Sequence, residues 1–207
     1  TVSGALAVTL AGVGDLTQTG ALSVAGATTL TALANNIDLS HAGNNFATVS
    51  VVSSGNVTLV DANDVDLGAM AVSGALSVTA NGSITDSGVL AVVLTTTFKA
   101  DADGDSSGDI TLNSVSSFTE ALSVQGGVNV EIYNNIATRL GNLYATGNLT
   151  ITGNDDLDNG PPGGPYGIVS VVGNVKLDIG TNDMFLNQTG WSYGTLTLIC
   201  GSLTPLP

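Results

Sequence analysis

The stretch Gly74-Ala75-Leu76-Ser77-Val78-Thr79 decides the fold. Leu76 and Val78 alternate with Ser77 and Thr79, the period-two pattern of a short strand with one buried face. The pattern also occurs at Gly4-Ala5-Leu6-Ala7-Val8-Thr9 and Gly20-Ala21-Leu22-Ser23-Val24-Ala25. A sister form, Gly55-Asn56-Val57-Thr58-Leu59, returns at Gly108, Gly147, Gly173 and Gly194. The leading Gly or Asn reads as a bend, or as a left-handed residue that a branched side chain resists.

A longer period lies above this one. Gly14-Asp15-Leu16-Thr17 resembles Gly82-Ser83-Ile84-Thr85, 68 positions on, and Gly74-Ala75-Leu76 resembles Gly147-Asn148-Leu149, 73 positions on. This super-repeat near 70 residues holds several strands and fits three or four coils of about 20 residues each. Strands this short need lateral partners, and stacking coil on coil supplies them about 4.8 Å apart. The fold class expected is all-β: a right-handed parallel β-helix (β-solenoid) of 9 to 10 coils, a rod about 45 Å long. A β-sandwich also yields alternating short strands, but not so regular a Gly-led repeat. Residues 1–207 read as one solenoid segment of a larger protein. The Pro-, Gly- and Asp-rich stretch 154–165 reads as a loop inserted between coils, because Pro lacks a ladder donor.

Composition narrows the function. Three Lys and Arg against 17 Asp and Glu, a formal charge of −14, cannot neutralise a phosphate backbone, so nucleic acid is excluded as a partner. Charged residues make up 10% of the chain, too few for the surfaces of a helical bundle. No apolar run approaches a membrane-spanning helix. With one cysteine, Cys200, an intrachain disulfide is impossible; that thiol is either free or paired between chains.

The segment from Asn35-Asn36-Ile37-Asp38-Leu39 through Gly55-Asn56-Val57-Thr58-Leu59 to Asp64-Val65-Asp66-Leu67, continued by Gly74 to Thr85, resembles the repeats of filamentous-haemagglutinin-like bacterial surface proteins. The likeness covers residues 4 to about 153 well. It implies a secreted β-helix on a bacterial cell surface or outside the cell, acting in adhesion, biofilm or filament formation. The function expected is a rigid structural segment of an adhesin or filament. The alternative is a module binding glycans or a receptor, with host or matrix glycans as partners. A polysaccharide-active enzyme ranks below both. Open solenoid ends carry unpaired strand edges, so end-to-end self-association is expected of such a rod.

Candidate sites are few. Asp101, Asp103, Asp105 and Asp109 place carboxylates at alternate positions of a Gly- and Ser-rich turn, a pattern that suits a weak calcium site but lacks the closing Glu of a helix-loop-helix site. Asp155, Asp156, Asp158 and Tyr166 form a candidate binding loop. Asn56, Asn81, Asn148 and Asn187 each begin an Asn-X-Ser/Thr sequon, a glycosylation site only if export meets the transferase. His41 reads as a surface turn residue. One His and one Cys make neither a zinc cluster nor a nucleophilic pair, and Glu120 and Glu131 are the only glutamates. No catalytic residue is assigned, and no cofactor beyond calcium.

Overall fold

The computed structural model describes residues 1–159, 167–187 and 190–205. Its strands are short and pair in parallel throughout, forming two eleven-stranded sheets with ten strands along the main path of each. The expected all-β solenoid is the architecture found. Stacked partners lie 20 positions apart from Ile37 to Val57 and 19 from Val57 to Leu76. The spacing widens to 26 from Ile84 to Ile110 and from Leu149 to Val175, where the chain carries extra residues.

The registers sort each coil into three strand segments, each stacked in its own column. Val65–Val72 shows the arrangement: its start pairs with Ile84–Asp86 and its end with Leu90–Val92. Leu76–Ala80 then stacks on Val57–Asp61 in the third column. The first column continues through Ile110, Val130, Leu149 and Val175. After a register shift beside Asn134, the second continues through Thr138, Leu157, Met184 and Leu203.

Alternation fills the interior. Leu76–Ala80 buries Leu76, Val78 and Ala80 and leaves Ser77 and Thr79 half-buried on the outside. Repeated in every coil, this gives one apolar core of Val, Leu and Ile. Each fully buried aliphatic side chain contributes roughly 1.5–3 kcal/mol. Phe46, Phe98 and Phe118 are also fully buried, the last two edge-to-face at 5.9 Å.

Of the two conformations expected of the strand-leading glycines, the bend is the one most of them adopt. Positive φ is confined to Gly14, Gly104, Gly127, Gly180 and Gly190 among the described glycines. Gly173 instead sits where a Cβ would meet the Gly147 carbonyl oxygen at 2.5 Å, and a Cβ on Gly147 would meet the Val128 oxygen at 2.7 Å. These corners need glycine because the coil below passes too close for a side chain.

Candidate functional site

The widened coil after Lys99 carries the acidic turn. A ligand oxygen from each of Asp101, Asp103 and Asp105 falls in one group within 4.8 Å. Asp101 and Ser106 adopt positive φ, and the Ser106 amide donates to Asp101 Oδ1 at 2.9 Å, folding the turn back on itself. Three carboxylates this close, two of them exposed, repel one another, and a hard cation relieves that repulsion with oxygen ligands. Asp109 does not join them. It stands just before the strand Ile110–Phe118, where its Oδ1 accepts from the Asn129 amide at 2.8 Å.

A polar trough of about 250 Å³ continues the site, lined by Asp103 and Asp105 with Asp64, Asn63 and Asn81 from neighbouring coils. Sequence reasoning did not group these residues. The signal was coil length: Asp64-Val65 stacks beneath Ser83-Ile84, one coil before the acidic turn.

Two side-chain ladders run up the corners. In one, Asn36 donates to Asp15, Asn56 donates from its amide and its Nδ2 to Asn36 Oδ1 at 2.9 Å each, and the Ala75 amide donates to Asn56 Oδ1 at 2.8 Å. In the other, the Asn129 amide donates to Asp109, that of Asn148 to Asn129 Oδ1 at 3.2 Å, and that of Asn174 to Asn148 Oδ1 at 2.9 Å. The residue just before a strand thus satisfies a backbone donor that the corner leaves without a carbonyl. Sequons Asn56 and Asn148 are ladder rungs with exposed side chains, and Asn81 is half-buried in a turn. Asn187 is buried, and its amide donates to Asn159 Oδ1 at 2.8 Å. Thr189 of that last sequon lies outside the described residues.

Buried polar groups do the same work inside. Asp61 Oδ2 accepts from the Phe46 amide at 2.7 Å, and Asn134 Oδ1 from the Phe118 amide at 2.9 Å. Burial pushes the Asp61 carboxyl above its ordinary pKa, although backbone donors from Phe46 and Asn63 oppose the shift. Asp86 is raised by burial too, against donors from Asn113 and Ser114. Asp178 moves the other way, because Lys176 Nζ bonds it at 2.9 Å.

The second candidate loop is divided by the fold. Asp155 and Asp156 are exposed in a turn, and Leu157–Asp158 is a strand paired with Thr138–Arg139. Asp158 lies 3.7 Å from Arg139, which also pairs with Glu120 at 2.9 Å. Residues 160–165 and Tyr166 lie outside the described residues. Glu131 is exposed on the first column, and His41 is an exposed turn residue whose Nδ1 accepts from the Gly43 amide. Cys200 is a half-buried free thiol against the last coil. Among the described residues no helix is long and apolar enough to cross a membrane.

Residues 1–53, 54–125 and 127–199 match a family described as repeats of unknown function (DUF5649). No curated protein and no solved structure gives a significant match. The second and third matched units begin 73 positions apart, the super-repeat seen in the sequence.

Proposed function

The chain belongs to the family of repeats of unknown function DUF5649, and on that premise we propose that it is a structural segment of a secreted bacterial surface adhesin or filament, serving as a rigid spacer. The observation that carries this reading is continuity. Parallel ladders and one apolar core run from the first coil to the last, with no break at the boundary between matched units at residues 53 and 54. An extended core of this kind sets length and stiffness and requires no ligand. Catalysis is no part of the proposal: Glu120 is tied to Arg139, and Glu131 is exposed on an outer face in another column.

The acidic turn adds calcium to the reading. The ion would sit among Asp101, Asp103 and Asp105 and reduce repulsion along a chain of charge −14. A coil stacked on either edge, from the same protein or from a second copy, would cover apolar side chains that are partly open there. At the first coil a cavity of about 430 Å³, lined by Leu6, Val8, Leu16 and Leu22, opens beside the core, and Leu196 and Leu198 are only partly covered at the last.

Electron microscopy of the purified chain, with immunogold labelling of intact producing cells, tests the proposal. Straight rods and label on the cell surface are expected. Compact particles, or label confined to the cytoplasm, would overturn it. Glycan or receptor binding is the second reading, resting on the exposed Asp155–Asp156 turn, a few positions before the stretch 160–166 in sequence. Saturable binding on a glycan array, lost when 160–165 is deleted, would favour it over a pure spacer.

A further inference from the structure

The family unit and the coil have different lengths. Residues 54–125 hold ten strand segments, from Val57–Asp61 to Leu122–Val124, when strands that turn a corner are counted once in each column. The described residues of 127–199 hold ten more, from Val130–Asn134 to Leu196–Ile199, counting the bridge at Ser192. A coil uses three. Ten is not a multiple of three, so each unit begins one column further round than the last.

The equivalences hold down to single contacts. Val57 stacks in the third column, and its counterpart Val130, 73 positions on, stacks in the first. Val65–Val72 turns the corner between the first and second columns, whereas Thr138–Ala145, equally long, turns the corner between the second and third. Gly68 lies against the Ser50 hydroxyl and Gly141 against that of Ser123, the same pair shifted by 73. The Asn56 amide donates to Asn36 at 2.9 Å, and the Asn129 amide to Asp109 at 2.8 Å. Asp86 accepts from the Ser114 amide at 3.1 Å, and Asn159 from that of Asn187 at 2.8 Å.

Surface relief repeats in the same way. A trough of about 290 Å³ at the corner after the second column is lined by Ser53, Ala71, Ser73 and Val93. Its counterpart, about 300 Å³, is lined by Gly126, Tyr144, Thr146 and Val172 at the corner after the third.

We infer that one family repeat is a ten-strand unit that carries its surface one column round the rod, so that successive repeats display equivalent surfaces in three directions. The same side returns only after three repeats, which is ten coils or about 48 Å. A partner that reads the outward face of one repeat meets the next copy on the neighbouring column, about 16 Å along the axis. It engages the rod by winding round it or one repeat at a time. A flat surface lying along one side meets the same epitope only once in about 48 Å. The inference rests on the fold and the family, and holds whether or not the rod serves at a cell surface.

Distances between paired nitroxide labels in the full chain, with Cys200→Ser as background, test this. Thr58 and Ser123 lie three coils apart in one column, through Ser77 and Thr97. Thr58 and Glu131 are equivalent by repeat but sit in different columns. The Thr58→Cys/Ser123→Cys pair should read about 14 Å plus the label linkers. Thr58→Cys/Glu131→Cys should read longer by more than two coil spacings. Ser77→Cys with Tyr144→Cys, against Ser77→Cys with Thr150→Cys, repeats the comparison one coil along, should either variant of the first set fail to fold. Equal distances within a set would place repeat-equivalent residues on one side of the rod and overturn the inference.

Discussion

At the scale of the residue, two hydroxyls stand out. Thr28 and Thr96, 68 positions apart, point inward and are fully buried, and neither Oγ1 finds a hydrogen-bond partner. A buried, unsatisfied hydroxyl costs about 1–3 kcal/mol, and valine replaces it with a methyl group of nearly the same shape. Thr96→Val should therefore raise stability by about 1 kcal/mol, read as a higher midpoint in urea, and Thr28→Val should do the same. Asp61 gives a pH dependence. Its folded-state pKa lies above the unfolded value of 3.8, as does that of Asp86. Between the two values the folded chain holds more protons than the unfolded one. Stability should thus rise as pH falls through the folded pKa and reach its full gain below 3.8. Urea melts at neutral pH and near pH 4 measure the rise, and Asp61→Asn should reduce it, leaving the part due to Asp86. Asp61→Ala should cost about 1–3 kcal/mol at either pH, because the buried Phe46 amide loses its acceptor.

At the scale of the element, strands, columns and ladders were unequally legible in the sequence. Leu76-Ser77-Val78 shows its strand openly, because burial on one face leaves a period of two. The glycine corners were visible as positions but not as physics: what excludes a side chain at Gly173 is a carbonyl oxygen contributed 26 residues earlier, at Gly147. The polar trough was hidden for the same reason. Asp64 and Asp103 line one trough only because the coil length brings them level, and the widened coil obscures that spacing. Asp109 looked like a ligand by alternation, but its place before Ile110 makes it a ladder rung. Asn129 tests the ladder. Its Oδ1 faces the Asn148 amide, so Asn129→Ala should lose about 1 kcal/mol, whereas Asn129→Asp keeps that acceptor but sets a second carboxylate against Asp109, to which Asn129 Nδ2 donates at 3.2 Å, and should lose at least as much. Hydrogen exchange at the Asn148 amide should accelerate in the first variant only.

At the scale of the whole molecule, the ten-strand unit makes an excision prediction. Removing residues 54–126 joins Ser53 to Gly127 and places Val130 where Val57 stacked on Ile37. The shortened chain should fold as a cooperative rod about 16 Å shorter. Small-angle scattering and thermal melting would check it. Removing 54–116 instead, which is not a whole unit, should leave mismatched corners and a lower melting temperature. The orientation of the ladders has a mechanical consequence as well. Backbone hydrogen bonds between coils, such as Val57 to Ala75 at 2.8 Å, point along the stacking direction. Tension applied to the two ends therefore loads them one coil at a time, as in peeling, while bending loads all columns together. The rod should be stiff sideways yet yield lengthwise in steps, each freeing about 20 residues and roughly 65 Å of contour. In a force spectrometer that is a regular low-force sawtooth, the signature of an extensible tether that resets when the load is removed.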